Sequence, residues 1–478
     1  MNQTQDQLFI GGRWVAPAGT GTITVISPNT GEPVGSTPDG TEADIDEAVA
    51  AAREAFDGPA GWSRVPAAER AKVLRRFADA IEARKDTIAQ TVSAQNGMPI
   101  AVAGQLEAVF PGLLLRYYAD LVENAGPDVR QGMLGGQIDV RRAPVGVVAA
   151  IAPWNFPQTL SMFKIAPALA AGCTVVTKPS PQTVLDSALV AEAAMEAGLP
   201  TGVLNIIPGG REVGAHLVAH PGVDKVSFTG STAAGRQIAE TCGRLLRPVT
   251  LELGGKSATI ILDDAELDLA KIGADLFVST LANNGQTCFL ATRILAPRSR
   301  YDEIVGLMST FAGSMNVGDS LSPETQIGPL SNQAQFDRVT DYIAKGKAEG
   351  GRVTVGGEQL DRPGYFVAPT VFAGLDNNAT VCQEEIFGPV LTVIPYSDDD
   401  EAVRIANESD YGLAGTVWTS DPERGIAVAD RLQTGSVGVN RYLPDPVAPF
   451  GGVKASGIGR ELGPEGLAPY QQLKSIYC

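Results

Sequence analysis

Cys288 ends the segment NNGQTC (283–288), a turn of two asparagines, a glycine and a glutamine. Structural cysteines usually sit in apolar runs, and this one does not. It reads either as a nucleophile or as a small residue at a helix end. A thiol nucleophile needs an activator, an oxyanion site and a way to release its acyl group. Histidine is the usual activator, but the chain has two, His216 and His220, both in the half that carries the glycine turns. Carboxylates are the next candidates. LELGGKS (251–257) sets Glu252 between two leucines and just before a glycine pair. An apolar setting raises a carboxyl pKa and suits a general base working near neutrality, although this segment alone favours a salt-bridged strand residue. Asn155 in PWNFP (153–157) falls where a strand ends and a helix starts. Its amide can donate to an oxyanion or cap the helix.

The histidines stand four apart, on one helix face. No acidic residue completes an HExxH pattern, so no metal site is expected. The pair reads as polar residues where a helix ends before Pro221. The five cysteines are odd in number, widely spaced and without a CxxC, which argues against a disulfide framework or a cysteine zinc site.

Two glycine turns sit at strand ends, PGGREVG (208–214) and FTGSTAAG (228–235). In the second, Gly230 follows a strand, and Ser231 or Thr232 can cap the next helix. Such a helix start offers backbone N–H groups to a phosphate. Neither turn is GxGxxG, so an ordinary strand–turn–helix joint is an equal reading. Lys178, at the end of another strand, adds a cation there.

These groups cooperate only if the fold gathers them. GVVAAIAPW (146–154) is a short, continuous apolar run, as expected of a strand buried on both faces. A helix-like FPQTLSMFKIAPALAAG, a strand CTVVTKP, a helix SALVAEAAMEAGLP and the strands VLNIIPG (203–209) and KVSFTGS (225–231) follow. The alternation predicts a parallel, doubly wound sheet with ligands at the carboxyl ends of its strands. Apolar residues at three- and four-residue spacing predict helix over 62–95 and 102–124. Past 250 a second half begins: 266–283 look helical, and ATRILAP, GTVWT and GSVGVN are strand candidates. The fold class is α/β with two large lobes.

A chain of 478 residues implies two to four domains. Its net charge of −17 disfavours a nucleic-acid partner, though a local pocket can still oppose that sign to hold a phosphate. MNQTQDQLFIGGRW lacks the form of a secretory signal, and the apolar stretch from Ile165 to Thr177 is too short for a membrane span. A soluble, cytoplasmic protein is expected, with neither nucleic acid nor membrane as partner.

Seven segments then stand in one order: PWNFP, KPS (178–180), FTGST (228–232), LELGGKS, GQTC (285–288), EEIFGPV (384–390) and PFGGVKASGIGRE (449–461). The series closely resembles the aldehyde dehydrogenase superfamily, from FIGGRW near the start to the tail. The resemblance implies a Rossmann-like cofactor domain (1–124 and 145–253), an α/β catalytic domain (254–455) and a small β oligomerisation element (125–144 and 456–478). It implies that Cys288 attacks an aldehyde, that Asn155 and the Cys288 N–H stabilise the oxyanion, and that Glu252 activates the water that hydrolyses the thioester. Family members that pass the acyl group to coenzyme A typically lack this glutamate, so a free carboxylic acid is the expected product. Lys178 is similar to the lysine that binds the adenosine ribose, Gly230 and Ser231 to the turn beside the pyrophosphate, and Glu385 and Phe387 to the pair that holds the nicotinamide ribose and ring. Ile151, Pro153, Trp154, Ser180, Gly209, Gly214, Phe228, Thr229, Leu253 and Gly254 complete the implied cofactor site.

Pro181 departs from the pattern, since many members carry there a glutamate that binds the ribose hydroxyls. Its loss removes a charge that would repel a 2′-phosphate, so NAD is expected as cofactor with NADP tolerated. Phe156, Leu160 and Phe163 fall on one helix face, which reads as a core stripe or, by the resemblance, as a substrate wall with Phe450 opposite and Thr287 and Phe289 beside the cysteine. A hydrophobic aldehyde, aliphatic, aromatic or terpenoid, is the expected substrate. A semialdehyde or betaine aldehyde dehydrogenase of the same family and a non-redox cysteine hydrolase are the alternatives. A homodimer or homotetramer is expected, the tail YQQLKSIYC pairing with a neighbouring subunit's sheet.

Overall fold

Strands Val147–Ile151, Thr174–Lys178, Leu204–Ile206 and Lys225–Thr229 are buried along their whole length. In the computed structural model, which describes residues 3–478, they join Val249–Glu252 as the parallel centre of an eight-stranded sheet. Alternate residues face opposite ways along a strand. Val147, Ala149 and Ile151 accordingly pack on one layer, with Ile45 and Val49 of helix Glu42–Asp57 and Leu217 of helix Arg211–Ala219. Val148 and Ala150 pack on the other, with helices Ala67–Glu82, Phe110–Glu123 and Pro157–Ala171. Two covered faces explain why the strands read as unbroken apolar runs.

Across the parallel centre the strands run fifth, fourth, first, second, third, so the order reverses between Lys225–Thr229 and Val147–Ile151. A crevice forms at the carboxyl ends beside such a reversal. The hairpin Leu8–Ile10 and Arg13–Val15 closes one edge antiparallel, and Gly457–Ile458 closes the other against Val249–Glu252. A second sheet of seven strands holds the expected Arg293–Pro297, Gly415–Trp418 and Gly438–Val439, together with Ala258–Ile261, Val390–Tyr396, Thr370–Ala373 and an antiparallel Arg352–Val355.

The structure differs from the sequence reading in two places. The helix expected over 62–95 is a short turn, Trp62–Arg64, followed by helices Ala67–Glu82 and Lys85–Asn96. Arg84 makes the break: it leaves helical backbone geometry and pairs with Glu196 at 2.7 Å. The helix expected over 102–124 is likewise two, Ile100–Leu106 and Phe110–Glu123, because Glu107 turns inward to bond another helix. The tail strand Gln471–Tyr477 pairs along its length with Gln137–Pro144 of the same chain, in a three-stranded sheet completed by Asp128–Gln131. The tail strand is the outer strand of this sheet, so its other edge is unpaired among the described residues. Among the described residues, no helix is long and apolar enough to cross a membrane.

Candidate active site

Cys288 follows a turn that the backbone could not make with ordinary residues. Asn283, Asn284 and Gly285 all have positive φ (52°, 60° and 76°), which asparagine and glycine tolerate best. A side chain on Gly285 would strike the carbonyl of Gly388 at 2.2 Å. The turn is strapped on both sides. Asn283 donates to the Asn155 carbonyl at 2.9 Å, and Asn284 donates to the carbonyls of Gly97 and Pro329 at 2.9 Å. The Asn284 side-chain oxygen accepts from Gly328 at 2.6 Å, and that of Gln286 from Ser331 at 2.9 Å. Gly255 leaves room for the cysteine, since a Cβ there would meet the Cys288 carbonyl at 2.3 Å.

Asn155 does not cap the helix after it. The cap is Phe156, which makes no side-chain cap bond, and the Asn155 amide donates to the Gln286 carbonyl at 3.0 Å. One of its two N–H groups is therefore spent beside the cysteine, on the loop that carries it. Glu252 is not salt-bridged. It is 2% exposed, and neither carboxyl oxygen has a hydrogen-bond partner among the described residues. Gly451 makes its room: a Cβ there would lie 2.5 Å from Glu252 Oε1. Burial, then the charge of Glu461, holds the Glu252 carboxyl well above its ordinary range, against the pull of Lys164 and Arg460. Burial, then Glu385 and Glu252, pushes the Cys288 thiol up as well.

Three cavities meet around these groups. One of about 50 Å³ is lined by all six expected substrate residues, Phe156, Leu160, Phe163, Thr287, Phe289 and Phe450, together with Leu106, Phe110, Leu443 and Pro444. Edge-on rings build its wall, with Phe163 and Phe289 at 6.2 and 6.5 Å from Phe450. A second, of about 250 Å³, is lined by Asn155, Leu253, Gly254, Glu385 and Phe387. Cys288 is the residue that borders both. The second shares Pro153, Trp154, Thr229, Gly230 and Ser231 with a third of about 470 Å³ at the strand-order reversal, which Ile151, Lys178, Ser180, Gly214 and Phe228 also line. Ser231 caps helix Thr232–Arg244, so that helix points its N–H groups into this space.

Gly209 does not line the third cavity; its carbonyl accepts from Lys178 Nζ at 2.8 Å. The Lys178 ammonium also bonds the Pro179 carbonyl at 3.2 Å, and burial lowers its pKa to about 8. Glu385 accepts from the Gly255 N–H at 2.9 Å, and burial raises it to about 7. Phe387 takes a positive φ of 64° and meets Trp154 edge-on at 5.3 Å. The paired cavities fit a dinucleotide: they are continuous, they open at the strand-order reversal, and glycines floor the narrow part. At Gly230 a Cβ would strike the Phe228 ring at 2.4 Å.

Some groups escaped the sequence reading. Lys164, fully buried, bonds Glu461 Oε1 at 2.9 Å and Thr229 Oγ1 at 2.6 Å behind Glu252. A charged residue inside the apolar run FKIAPALAAG was the available signal. Arg338 and Gln335 line the second cavity and hold the carbonyls of Glu385–Phe387, which no local pattern announces. His216 and His220 lie outside all three cavities. Asp46 accepts from both rings, at 2.7 and 3.3 Å, and the Gly222 N–H donates to His220 Nδ1, which leaves the His220 proton on Nε2, facing the carboxylate.

Comparison with known proteins finds relatives along the whole chain. The model of the aldehyde dehydrogenase family matches residues 14–476. Geranial dehydrogenase of Castellaniella defragrans is 55% identical over 478 residues, covering 100% of this chain and 99% of that protein. A Mycobacterium tuberculosis aldehyde dehydrogenase complexed with NAD+ superposes with a TM-score of 0.97 at 46% identity, covering 100% of this chain and 99% of that one. A mutant of aldehyde dehydrogenase C from Pseudomonas syringae, complexed with NAD+ and octanal, gives 0.94 at 39% identity, covering 99% and 96%.

Proposed function

The chain belongs to the aldehyde dehydrogenase family, and from that premise we propose that it oxidises an apolar aldehyde to the carboxylic acid, with NAD as cofactor and Cys288 as nucleophile. The observation that carries this reading is the place of Cys288, the one residue shared by an apolar cavity and a cavity continuous with a nucleotide-sized crevice. Gly230, Ser231 and the helix they open would hold the pyrophosphate, and Glu385 and Phe387 the nicotinamide end. NAD, when bound, accepts the hydride that converts the thiohemiacetal on Cys288 to a thioester.

The remaining work falls to the chain. Cys288 must lose its proton to solvent before it can attack, against the burial that raises its pKa. The thiolate forms the bond to the aldehyde carbon. The Asn155 amide and the Cys288 N–H take the oxyanion that results. After oxidation, Glu252 removes a proton from water, the hydroxide adds to the thioester carbon, and the C–S bond breaks to release the acid.

Among the described residues, the apolar cavity's only side-chain hydroxyls are those of Thr159 and Thr287 and no cation lines it, which supports an alkyl, aromatic or terpenoid aldehyde over a semialdehyde. The nucleotide crevice carries Lys178 and Arg211 and no carboxylate, which supports tolerance of NADP. We assign the cofactor domain to 1–124 and 145–253, the catalytic domain to 254–455, and the assembly element to 125–144 and 456–478. Leu134 at the hairpin tip is fully exposed and Leu473 is 65% exposed, so this element supports a homodimer or homotetramer. Five free cysteines suit the reducing cytoplasm.

An aldehyde panel read by absorbance of the reduced nicotinamide tests the reading. Octanal or geranial should give the higher kcat/KM than succinic semialdehyde, and Cys288→Ala should fall to background. Full activity in that variant, or a clear win for the semialdehyde, overturns it.

A further inference from the structure

Asn155 donates from the short loop between strand Val147–Ile151 and helix Pro157–Ala171, so its aim depends on how that helix start is fixed. The helix cannot cap itself. Phe156 stands at the cap position without a polar side chain, and Pro157 has no N–H, which leaves the N–H groups of Gln158 and Thr159 without a local acceptor. Glu107 supplies both bonds from a distant part of the chain. Its Oε2 accepts from the Gln158 N–H at 2.8 Å and its Oε1 from the Thr159 N–H at 3.3 Å. The Thr159 hydroxyl donates to the Leu106 carbonyl, one residue away, and the Glu107 side chain is wholly buried. The two hydrogen bonds, more than charge, make the cap: burial raises the Glu107 carboxyl well above its ordinary range, against the pull of the Gln158 N–H.

The same junction touches the substrate wall. Leu106 and Phe110, on either side of Glu107, line the apolar cavity, as do Phe156, Thr159 and Leu160 at the helix start. One side chain therefore ties the two walls together, bonding Gln158, which stands three residues after the oxyanion donor in the chain.

We propose that Glu107 is a positioning residue for the reaction: by capping helix Pro157–Ala171 in place of a local cap, it fixes the aim of the Asn155 amide at the oxyanion site. This rests on Asn155 as the oxyanion donor. Glu107 touches neither substrate nor cofactor cavity and acts through the helix start alone. Misplacing a reacting group by an ångström costs up to about 100-fold in rate.

The test is a double-mutant cycle of Glu107→Gln and Asn155→Ala on the full-length enzyme with NAD and octanal. Glutamine keeps the shape and one acceptor but turns an NH₂ towards the second helix N–H. The expected result is a fall in kcat of about 10-fold or more for Glu107→Gln with KM for NAD unchanged, and no further fall when it is added to Asn155→Ala. Glu107→Asp, shorter but still an acceptor, should recover part of the loss. Three results overturn the proposal: an unchanged kcat in Glu107→Gln, a lower melting temperature with kcat intact, or full additivity with Asn155→Ala. If Asn155→Ala by itself leaves kcat unchanged, the role given to Asn155 fails, and the proposal with it.

Discussion

Burial and neighbouring carboxylates move the Cys288 thiol and the Glu252 carboxyl in the same direction, upward. Both must be deprotonated to act, one as nucleophile and one as base, so the rate should climb as pH rises through neutrality and beyond. Replacing Glu252 by Gln removes the base and spares the thiol. Pre-steady-state mixing should then show close to one equivalent of reduced nicotinamide per active site, followed by a steady state slower by about 10²- to 10⁴-fold. Loss of the burst together with the steady state would mean that Glu252 serves the attack more than the hydrolysis. Pro181 sets a second residue-scale expectation. Pro181→Glu restores a carboxylate to a crevice that has none. It should lower kcat/KM for NADP by about 10-fold while sparing NAD, as measured by initial rates with each cofactor.

At the scale of elements, buried carboxylates brace the site from behind. Asp186 accepts from the side chain of Gln95 on helix Lys85–Asn96, and its carbonyl accepts from Gln158 of helix Pro157–Ala171 at 3.0 Å. Burial raises its carboxyl to about 7. A carboxyl raised on folding stabilises the fold fully below its unfolded pKa and loses that contribution as pH rises to the folded one. Asp186→Asn should therefore gain nothing in melting temperature at pH 4. It should gain progressively up to about pH 7, by at most about 4 kcal/mol, and level off above. A gain independent of pH would refute this. The sequence showed four strands of the eight-stranded sheet, the helix Pro157–Ala171 and the cysteine turn, because each is a local pattern. It did not show the breaks near Arg84 and Glu107. Both residues leave their helices for partners far along the chain, Glu196 and Gln158, and periodicity carries no trace of a distant partner. The same blindness hid Arg338, whose job is to hold carbonyls on another segment. Asn155 and Glu252 were legible as residue types. That the amide faces Gln286, and that the carboxyl has no partner, are facts of packing.

For the molecule as a whole, the tail and the hairpin make one sheet whose outer edge and exposed Leu473 and Tyr477 face away from the chain. Removing residues 471–478 strips the hairpin strand Gln137–Pro144 of its partner along its full length. If this sheet carries the proposed assembly contact, light scattering on the truncated protein should give a smaller particle than the full chain; an unchanged particle mass would count against that role. The turn before Cys288 has a consequence at this scale too. Asn-Gly is the dipeptide most prone to lose ammonia, because the glycine nitrogen can attack the asparagine side chain and close a five-membered imide ring. Here the Asn284 amide is tied to Gly97 and Pro329, and the Gly285 N–H is already given to the Leu281 carbonyl at 3.0 Å. The native fold withholds both reactants, whereas an opened chain releases them. Chemical ageing at this one bond thus keeps a tally of the time each molecule has spent unfolded, written three residues from its nucleophile.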